Sequence, residues 1–380
     1  MADVTNYIDR LVAELCPDGV EYRPLSDVVE KNYGGGTPSK AKEEYWGGDI
    51  PWASVGDLSN DLMEVLDTRS KITPAGVSGS STNVVPAGAV IVAIKIAPGK
   101  MKIAGVDLAI NQDIRGLVLN DLMNARFLTY YFRTLRFAGH GTIVKSITNK
   151  RLMDTEVPVP PLEIQAAIVE ILDKFTNLEA ELEAELEART LQYEYYRDSL
   201  FEALDCPRVP LDSFAKIKNG KTYKDFGAGN IPVYGSGGIM TYVDRFSYNK
   251  PTVLIPRKGS LGNLFYLEEP FWNVDTIFYT EIDEEQVIPK FLYYFLKTAH
   301  LEDLNTAGGV PSLTQKVLNK VLIPVPSLEE QQRIVDILDR FDALTGSLSE
   351  GLPAELAARR SQYEYYRDQL LTFPRKGENQ

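Results

Sequence analysis

Two cysteines and two histidines in 380 residues leave little room for several kinds of chemistry. Cys16 and Cys206 cannot build a disulfide framework, and each stands directly before a proline at a similar point of its repeat. His140 and His300 are too few for a histidine-based triad or a histidine-rich metal centre. No stretch approaches the roughly 18 apolar residues of a membrane span. The opening "MADVTNYIDRLVAELC" carries acids where a signal peptide would be apolar. A cytoplasmic protein with no membrane partner is the expectation. Nucleotide motifs are missing as well. "AKIKNGKT" (215–222) fits a phosphate loop only with Ala215 in place of the first glycine. "YKDFGAGN" follows it, a loop sequence where a phosphate loop would open a helix. The chain is therefore expected to be no enzyme by itself, with no catalytic residue, metal or cofactor of its own.

What is present is an ordinary globular composition, 44% apolar and 24% charged, with a net charge of −13. That sign argues against nucleic acid until the charge is mapped. Residues 1–160 carry −2, 161–204 carry −8, 205–327 carry 0 and 328–380 carry −3. The two larger segments also hold acid-free basic runs. Arg69, Lys71, Lys95, Lys100 and Lys102 lie between Asp67 and Asp107, and Arg126, Arg133, Arg136, Lys145, Lys150 and Arg151 between Asp121 and Asp154. Phosphate binding needs such local fields and not a basic total.

The acidic segments share a repeat. "QYEYYRD" stands at 192–198 and again at 362–368. "PLEIQAAIVEILDKF" (161–175) matches "SLEEQQRIVDILDRF" (327–341), and "SITNKRLMDTEVPVP" (146–160) matches "SLTQKVLNKVLIPVP" (312–326), both at a shift of 166. Leu11, Leu15, Cys16 and Pro17 mirror Leu200, Leu204, Cys206 and Pro207. A chain that begins with the tail of its own repeat is circular in organisation, so its ends should meet. Four segments follow: a short helix with a globular domain (1–160), a long helix (161–204), a second globular domain (205–327) and a second long helix with a tail (328–380).

"PVPP" and "PVPS" precede the helices as start signals. Ile171, Phe175, Leu178 and Leu182, then Ile337, Phe341, Leu344 and Leu348, fall at alternating steps of four and three, which reads as a buried seam. The second helix carries one extra quartet near Gly351 and Pro353, which should interrupt it. Two helices of about 40 residues reach roughly 60 Å. Packed antiparallel, they would separate the globular domains about a pseudo-twofold axis, with "YEYY" as the aromatic end of the seam and Arg197 and Arg367 at its rim. "AVIVAIKI" (89–96) and "TVLIPRKG" (252–259) read as strands entering basic turns, while "YWGGDIPW" (45–52) and "AGNIPVYGSGG" (228–238) read as glycine-rich loops. The fold class expected is α+β, with a small sheet in each globular domain.

These paired helix motifs, with "GGGTPSKAKEEYWGGDIPW" and "VLIPRKGSLGNLFY", make the chain resemble the specificity subunits of Type I restriction–modification systems along essentially its whole length. The resemblance implies two target recognition domains, each reading half of a bipartite double-stranded DNA site, in a bacterial or archaeal cytoplasm. It implies two modification subunits that bind S-adenosylmethionine, and restriction subunits that use ATP and Mg. The rival readings are a single-chain DNA-modifying enzyme, against which the absent "NPPF"-type motif counts, and a coiled-coil adaptor that never meets DNA. Polar and basic residues near the turns are the candidates for DNA contact. In the first domain these are Thr37, Ser39, Lys40, Trp52, Lys95, Lys100, Asn111, Gln112, Lys145 and Ser146. In the second they are Asn219, Lys221, Tyr234, Ser236, Arg257, Lys258, Ser260, Asn263 and Ser312.

Overall fold

The computed structural model describes residues 2–60, 62–137, 145–305, 311–345 and 351–377. Its helices are α1 (Ala2–Leu15), α2 (Pro74–Ser78), α3 (Ala125–Thr134), α4 (Asn149–Met153), α5 (Leu162–Glu202), α6 (Pro289–Thr298), α7 (Gln315–Leu318), α8 (Leu328–Thr345) and α9 (Gly351–Leu370). The chain divides into two compact units, Met1–Glu181 with Ala357–Gln380 and Leu182–Leu356. The long helices are therefore not bodies of their own, because α5 gives its first half to unit 1 and its second half to unit 2.

Each unit is α+β and each holds two main sheets, where one was expected. In unit 1 the larger sheet runs Val29–Gly34, Ile114–Leu119, Val90–Ala93, Met101–Ala104, Glu64–Val65. The smaller runs Ser70–Ile72, Trp46–Ala53, Leu108–Ile110, Val84–Val85. Unit 2 repeats this order with fewer strands: Ala215–Asn219, Ile277–Ile282, Thr252–Pro256, Phe265–Leu267, and Gly238–Val243, Ile231–Gly235, Trp272–Asn273. Thus "YWGGDIPW" is a strand and not a loop. Two of its glycines sit where the register slips between Trp46 and Ile50, and that bulge hid the alternation. Ile231–Gly235 is likewise a strand with a bulge after Val233. Two glycines are fixed by a common close approach. A Cβ on Gly35 would lie 1.7 Å from the Asn111 carbonyl oxygen, and one on Gly220 would lie 2.0 Å from that of Val274.

Helix α3 starts on the side chain of Asn124, which accepts from the amides of Arg126 and Phe127, and it buries Phe127, Leu128, Tyr130 and Tyr131. These join Ile164, Ile168, Val169 and Leu172 of α5 in one core. The buried face of early α5 is thus rotated from the expected seam. Ile171 and Phe175 are half-buried and Leu178 is 47% exposed, because the core built with α3 buries the helix only as far as Leu172. Beyond it, within unit 1, α9 packs against α5 and runs antiparallel. Phe175 stacks on Tyr366 at 5.6 Å, and Glu179 pairs with Arg360 at 2.6 Å. In unit 2, Tyr193 and Tyr196 pack on Phe341 of α8. Arg197 and Arg367 are covered and not at a rim: their side chains are 11% and 14% exposed, each over a tyrosine ring and paired with the next aspartate. Gly351, with φ 75°, opens α9. Leu348, the Leu344 side chain and His140 lie outside the described residues.

The two ends of the chain meet in unit 1. The Val20 amide donates to the Pro374 carbonyl at 2.8 Å, and the Lys376 amide to the Val20 carbonyl at 3.0 Å. Phe373 closes the core beside Phe127.

Candidate nucleic-acid interface

Both units build one backbone frame in the turn that follows the buried strand spelled by "AVIV" or "TVLI". In unit 1, Lys95 bridges Ser146, Ile147 donates to the Ile94 carbonyl at 2.8 Å, and Ile96 donates to the Lys145 carbonyl at 2.8 Å. In unit 2, Lys258 bridges Ser312, Leu313 donates to the Arg257 carbonyl at 2.9 Å, and Gly259 donates to the Pro311 carbonyl at 3.1 Å. Segments 51 and 54 residues apart are thereby locked into equivalent loop pairs. Six expected residues, Lys95, Lys145, Ser146, Arg257, Lys258 and Ser312, are brought together in these two frames.

Within unit 1, Lys95 and Lys145 are exposed, and Lys95 Nζ lies 2.9 Å from Asp113. Gln112 is exposed beside them and accepts from the Thr37 hydroxyl, which ties the glycine-rich loop to the turn at Asp113. Ser39 and Lys40 are exposed on that loop, where the Ser39 carbonyl accepts from the Trp46 indole. Two of the expected residues are structural. Trp52 is 8% exposed, donates to the Gly36 carbonyl at 3.1 Å and meets Trp46 edge-on, so its indole anchors the loop from inside. Asn111 is 7% exposed, and its side chain accepts from the Asp113 amide to shape the turn. Lys100 stands apart from the frame. Its ammonium donates to the Ser59 carbonyl at 3.2 Å at the mouth of a cavity of about 770 Å³. Lys102, Arg133, Arg136, Arg360 and Arg367 also line that cavity, with Glu179 and Glu364.

In unit 2, the Asn263 side chain donates to the Ser236 carbonyl at 3.2 Å and its amide to the Ser260 carbonyl, which ties the exposed turn of Ser260 and Asn263 to the half-buried hairpin turn at Ser236. Arg257 lies over the Phe278 ring, and Lys258 is exposed. Tyr234 is half-buried against Phe265 and Phe271, and burial pushes its phenol pKa up, so it packs more than it reaches outward. Asn219 and Lys221 are exposed on the strand and loop before Tyr223, away from that turn in sequence. The Lys221 carbonyl accepts from the Trp272 indole at 2.9 Å. Trp272 thus does for unit 2 what Trp52 does for unit 1, from the neighbouring strand. The loop after Lys221 confirms that "AKIKNGKT" opens no helix: Ala215–Asn219 is a strand.

Sequence reasoning overlooked a second set of residues, those that fix each globular domain to its helix. Gln165 and Gln331 are fully buried at the 166-residue repeat. Gln165 accepts from the Asn124 amide and donates to the Leu122 and Pro160 carbonyls. Gln331 accepts from Ile288 and donates to Gln286 and Pro326. Beside them the Tyr130 hydroxyl donates to Asp173 at 2.6 Å and the Tyr294 hydroxyl to Asp339 at 2.5 Å. Arg126, expected in a free basic run, is instead held by Glu64 and Asp173 at 2.9 and 3.0 Å. Polar residues recurring inside an apolar helix pattern were the signal available.

Among the described residues no group of three or more His, Cys, Asp or Glu side chains gathers as a metal site. No helix among them is long and apolar enough to cross a membrane. The backbone resembles solved proteins of one kind. A subunit of a type I restriction–modification assembly aligns over 93% of this chain and 97% of its own, with TM-score 0.66 and 18% identity. The specificity subunit from M. genitalium aligns over 93% and 96%, with TM-score 0.56 and 19% identity. The sequence family model for the type I restriction modification DNA specificity domain matches twice, at 17–188 and 205–358. A type I restriction enzyme specificity subunit of Haemophilus influenzae is 30% identical across 93% of this chain and 96% of its own. The EcoprrI specificity subunit of Escherichia coli is 30% identical across 91% and 92%. The chain belongs to the specificity subunits of type I restriction–modification systems, and as such it is non-catalytic.

Proposed function

We propose that each unit reads one half of a bipartite duplex site and that the chain carries two modification subunits, and through them restriction subunits. S-adenosylmethionine, ATP and Mg act in those partners. The observation that carries the partner number is a repeated outward surface. Leu162 and Leu328, at the starts of α5 and α8, are 51% and 42% exposed, and Tyr195 and Tyr365 in the twin heptapeptides are 70% and 59% exposed. Packing explains why buried residues recur between repeats. It gives no reason to keep a large apolar side chain facing water at the same place twice. A partner meeting both copies does, and unit 1 (Leu162, Tyr365) and unit 2 (Leu328, Tyr195) each bear one complete set. The paired frames of basic turns support the DNA half of the reading. Native mass measurement of the assembled methyltransferase should give two modification subunits per chain, and a gel shift should detect the duplex. A single modification subunit at saturation refutes the partner number.

A further inference from the structure

Ile96 occupies a backbone conformation that its side chain resists. Its φ is 67°, and a β-branched residue in the left-handed region crowds its own following carbonyl. The conformation belongs to the fold and not to the residue. The equivalent position in unit 2, with the same amide-to-carbonyl bond across to the second loop, is Gly259 at φ 83°. Unit 2 therefore uses the residue the backbone favours, and unit 1 does not. Nor does packing offset the strain, since Ile96 is 62% exposed. The backbone beside it carries two exposed lysines: Lys95, which precedes it and pairs with Asp113 at 2.9 Å, and Lys145, to whose carbonyl Ile96 donates.

We infer that Ile96 is an apolar DNA-contacting tip of unit 1, held outward between two phosphate-seeking lysines. This rests on the DNA-reading function proposed above. Its ligand is the apolar part of the base pairs, either a thymine methyl in the groove or the faces of a partly opened base step. A stiff, branched side chain with few rotamers suits such a contact, because little freedom is left to lose on binding. Unit 2, with no side chain at Gly259, lacks this contact, so the two half-sites are read by different means at this loop.

Ile96→Gly and Ile96→Asn both suit the left-handed conformation. In the assembled methyltransferase, the melting temperature of either variant should hold or rise by a few degrees. Affinity for a duplex carrying the site found by methylome sequencing should fall about tenfold to a hundredfold. Affinity for unrelated duplex should stay within about twofold. Uracil in place of each thymine of the half-site, and 2-aminopurine beside it, separate the two sources. A uracil penalty lost in Ile96→Gly marks a methyl contact, and brightening seen only with Ile96 marks an opened step. Unchanged affinity for the site overturns the inference, and so does a melting temperature that falls with it, which would mean Ile96 packs. Loss of the modification subunit with DNA affinity intact also overturns it, since the tip would then meet protein. If the wild-type complex fails to bind any duplex, the proposed function falls first, and that result is distinct from all the others.

Discussion

Six cationic side chains line the cavity in unit 1: Lys100, Lys102, Arg133, Arg136, Arg360 and Arg367. Strand register and the repeat shifts place Asn263, Phe265, Lys297, His300, Thr190 and Arg197 at the matching positions of unit 2. Only Lys297 and Arg197 keep a fixed charge there, and Lys297 faces Asp342 at 4.0 Å. A few residues away the same two units are nearly identical. Gln165 and Gln331 make the same three bonds, and Tyr130–Asp173 and Tyr294–Asp339 the same hydroxyl bond. The joint between domain and helix is conserved between the repeats, while the surface each domain presents is not. If each unit reads its own half-site, as proposed above, this division keeps the two readers alike while their targets differ.

The sharpest test of that division lengthens α5 without touching either reader. One further "LEAE" after Glu185 adds about 6 Å of rise and rotates the following face by only about 40°. If the helix sets the spacing, methylation at the original site should be lost and reappear at a site with the same half-sites and a longer unread spacer, one or two base pairs more. Methylome sequencing of the mutant reads this directly. A fixed spacer, or altered half-site sequences, would show that the helices are not the ruler.

Next comes the joint. Gln165→Ala and Gln331→Ala each strand one amide and two carbonyls in a dry interior, at a cost of about 3 kcal/mol. Hydrogen exchange should show the loss in unit 1 for the first and in unit 2 for the second, with similar size. Unequal losses would break the equivalence of the joints.

The buried tyrosines give a smaller, pH-dependent effect. Burial first, and then the hydrogen bond to Asp173 or Asp339, push the Tyr130 and Tyr294 phenols well above their ordinary range, and burial pushes Tyr131 up to about 12. The folded state thus holds these protons more tightly than the unfolded chain does. Their contribution is complete below about pH 10 and is lost as pH rises beyond it. Of the 20 tyrosines, the share of tyrosinate absorbance that belongs to these three should appear only in step with unfolding. Tyr130→Phe and Tyr294→Phe should each cost about 1–2 kcal/mol at neutral pH.

The least effect is expected at the basic turns. Lys95→Ala with Lys100→Ala, or Arg257→Ala with Lys258→Ala, should weaken binding to all duplexes. Each lost phosphate contact should flatten the log–log salt dependence by roughly one unit. An unchanged slope would place the pair away from the duplex. Because Lys100 already donates to Ser59 and Lys95 to Asp113, the unit 1 pair is expected to lose less per residue than Lys258 in unit 2.

The repeat, the helix starts and the meeting of the chain ends could be read from the sequence because they depend on local pattern: a proline before an apolar run, a heptapeptide copied whole. The buried face of α5 could not. Ile164, Ile168 and Leu172 face the core because a recognition domain sits on them, whereas the expected Leu178 belongs to the part past that domain. Trp46–Ala53 escaped notice as a strand since its bulge breaks the alternation that marks one. Trp52, expected to contact DNA, lies on that strand and is buried. The strain at Ile96 has no sequence signature at all, and only the comparison with Gly259 in the folded frame exposes it.

The pairing of Val20 with the Pro374–Lys376 segment also sets an order of events at synthesis. Unit 2 is one uninterrupted stretch, Leu182–Leu356, and every residue of it leaves the ribosome before Pro374–Lys376 does. Unit 1 begins first and finishes last. Leu370, Leu371 and Phe373 are missing from its core until they emerge in turn, when they must find partners made as much as about 350 residues earlier. The first unit thus waits, incompletely packed, while the second can already be whole. A ribosome that stops short of Phe373 releases a chain with one finished unit and one open one.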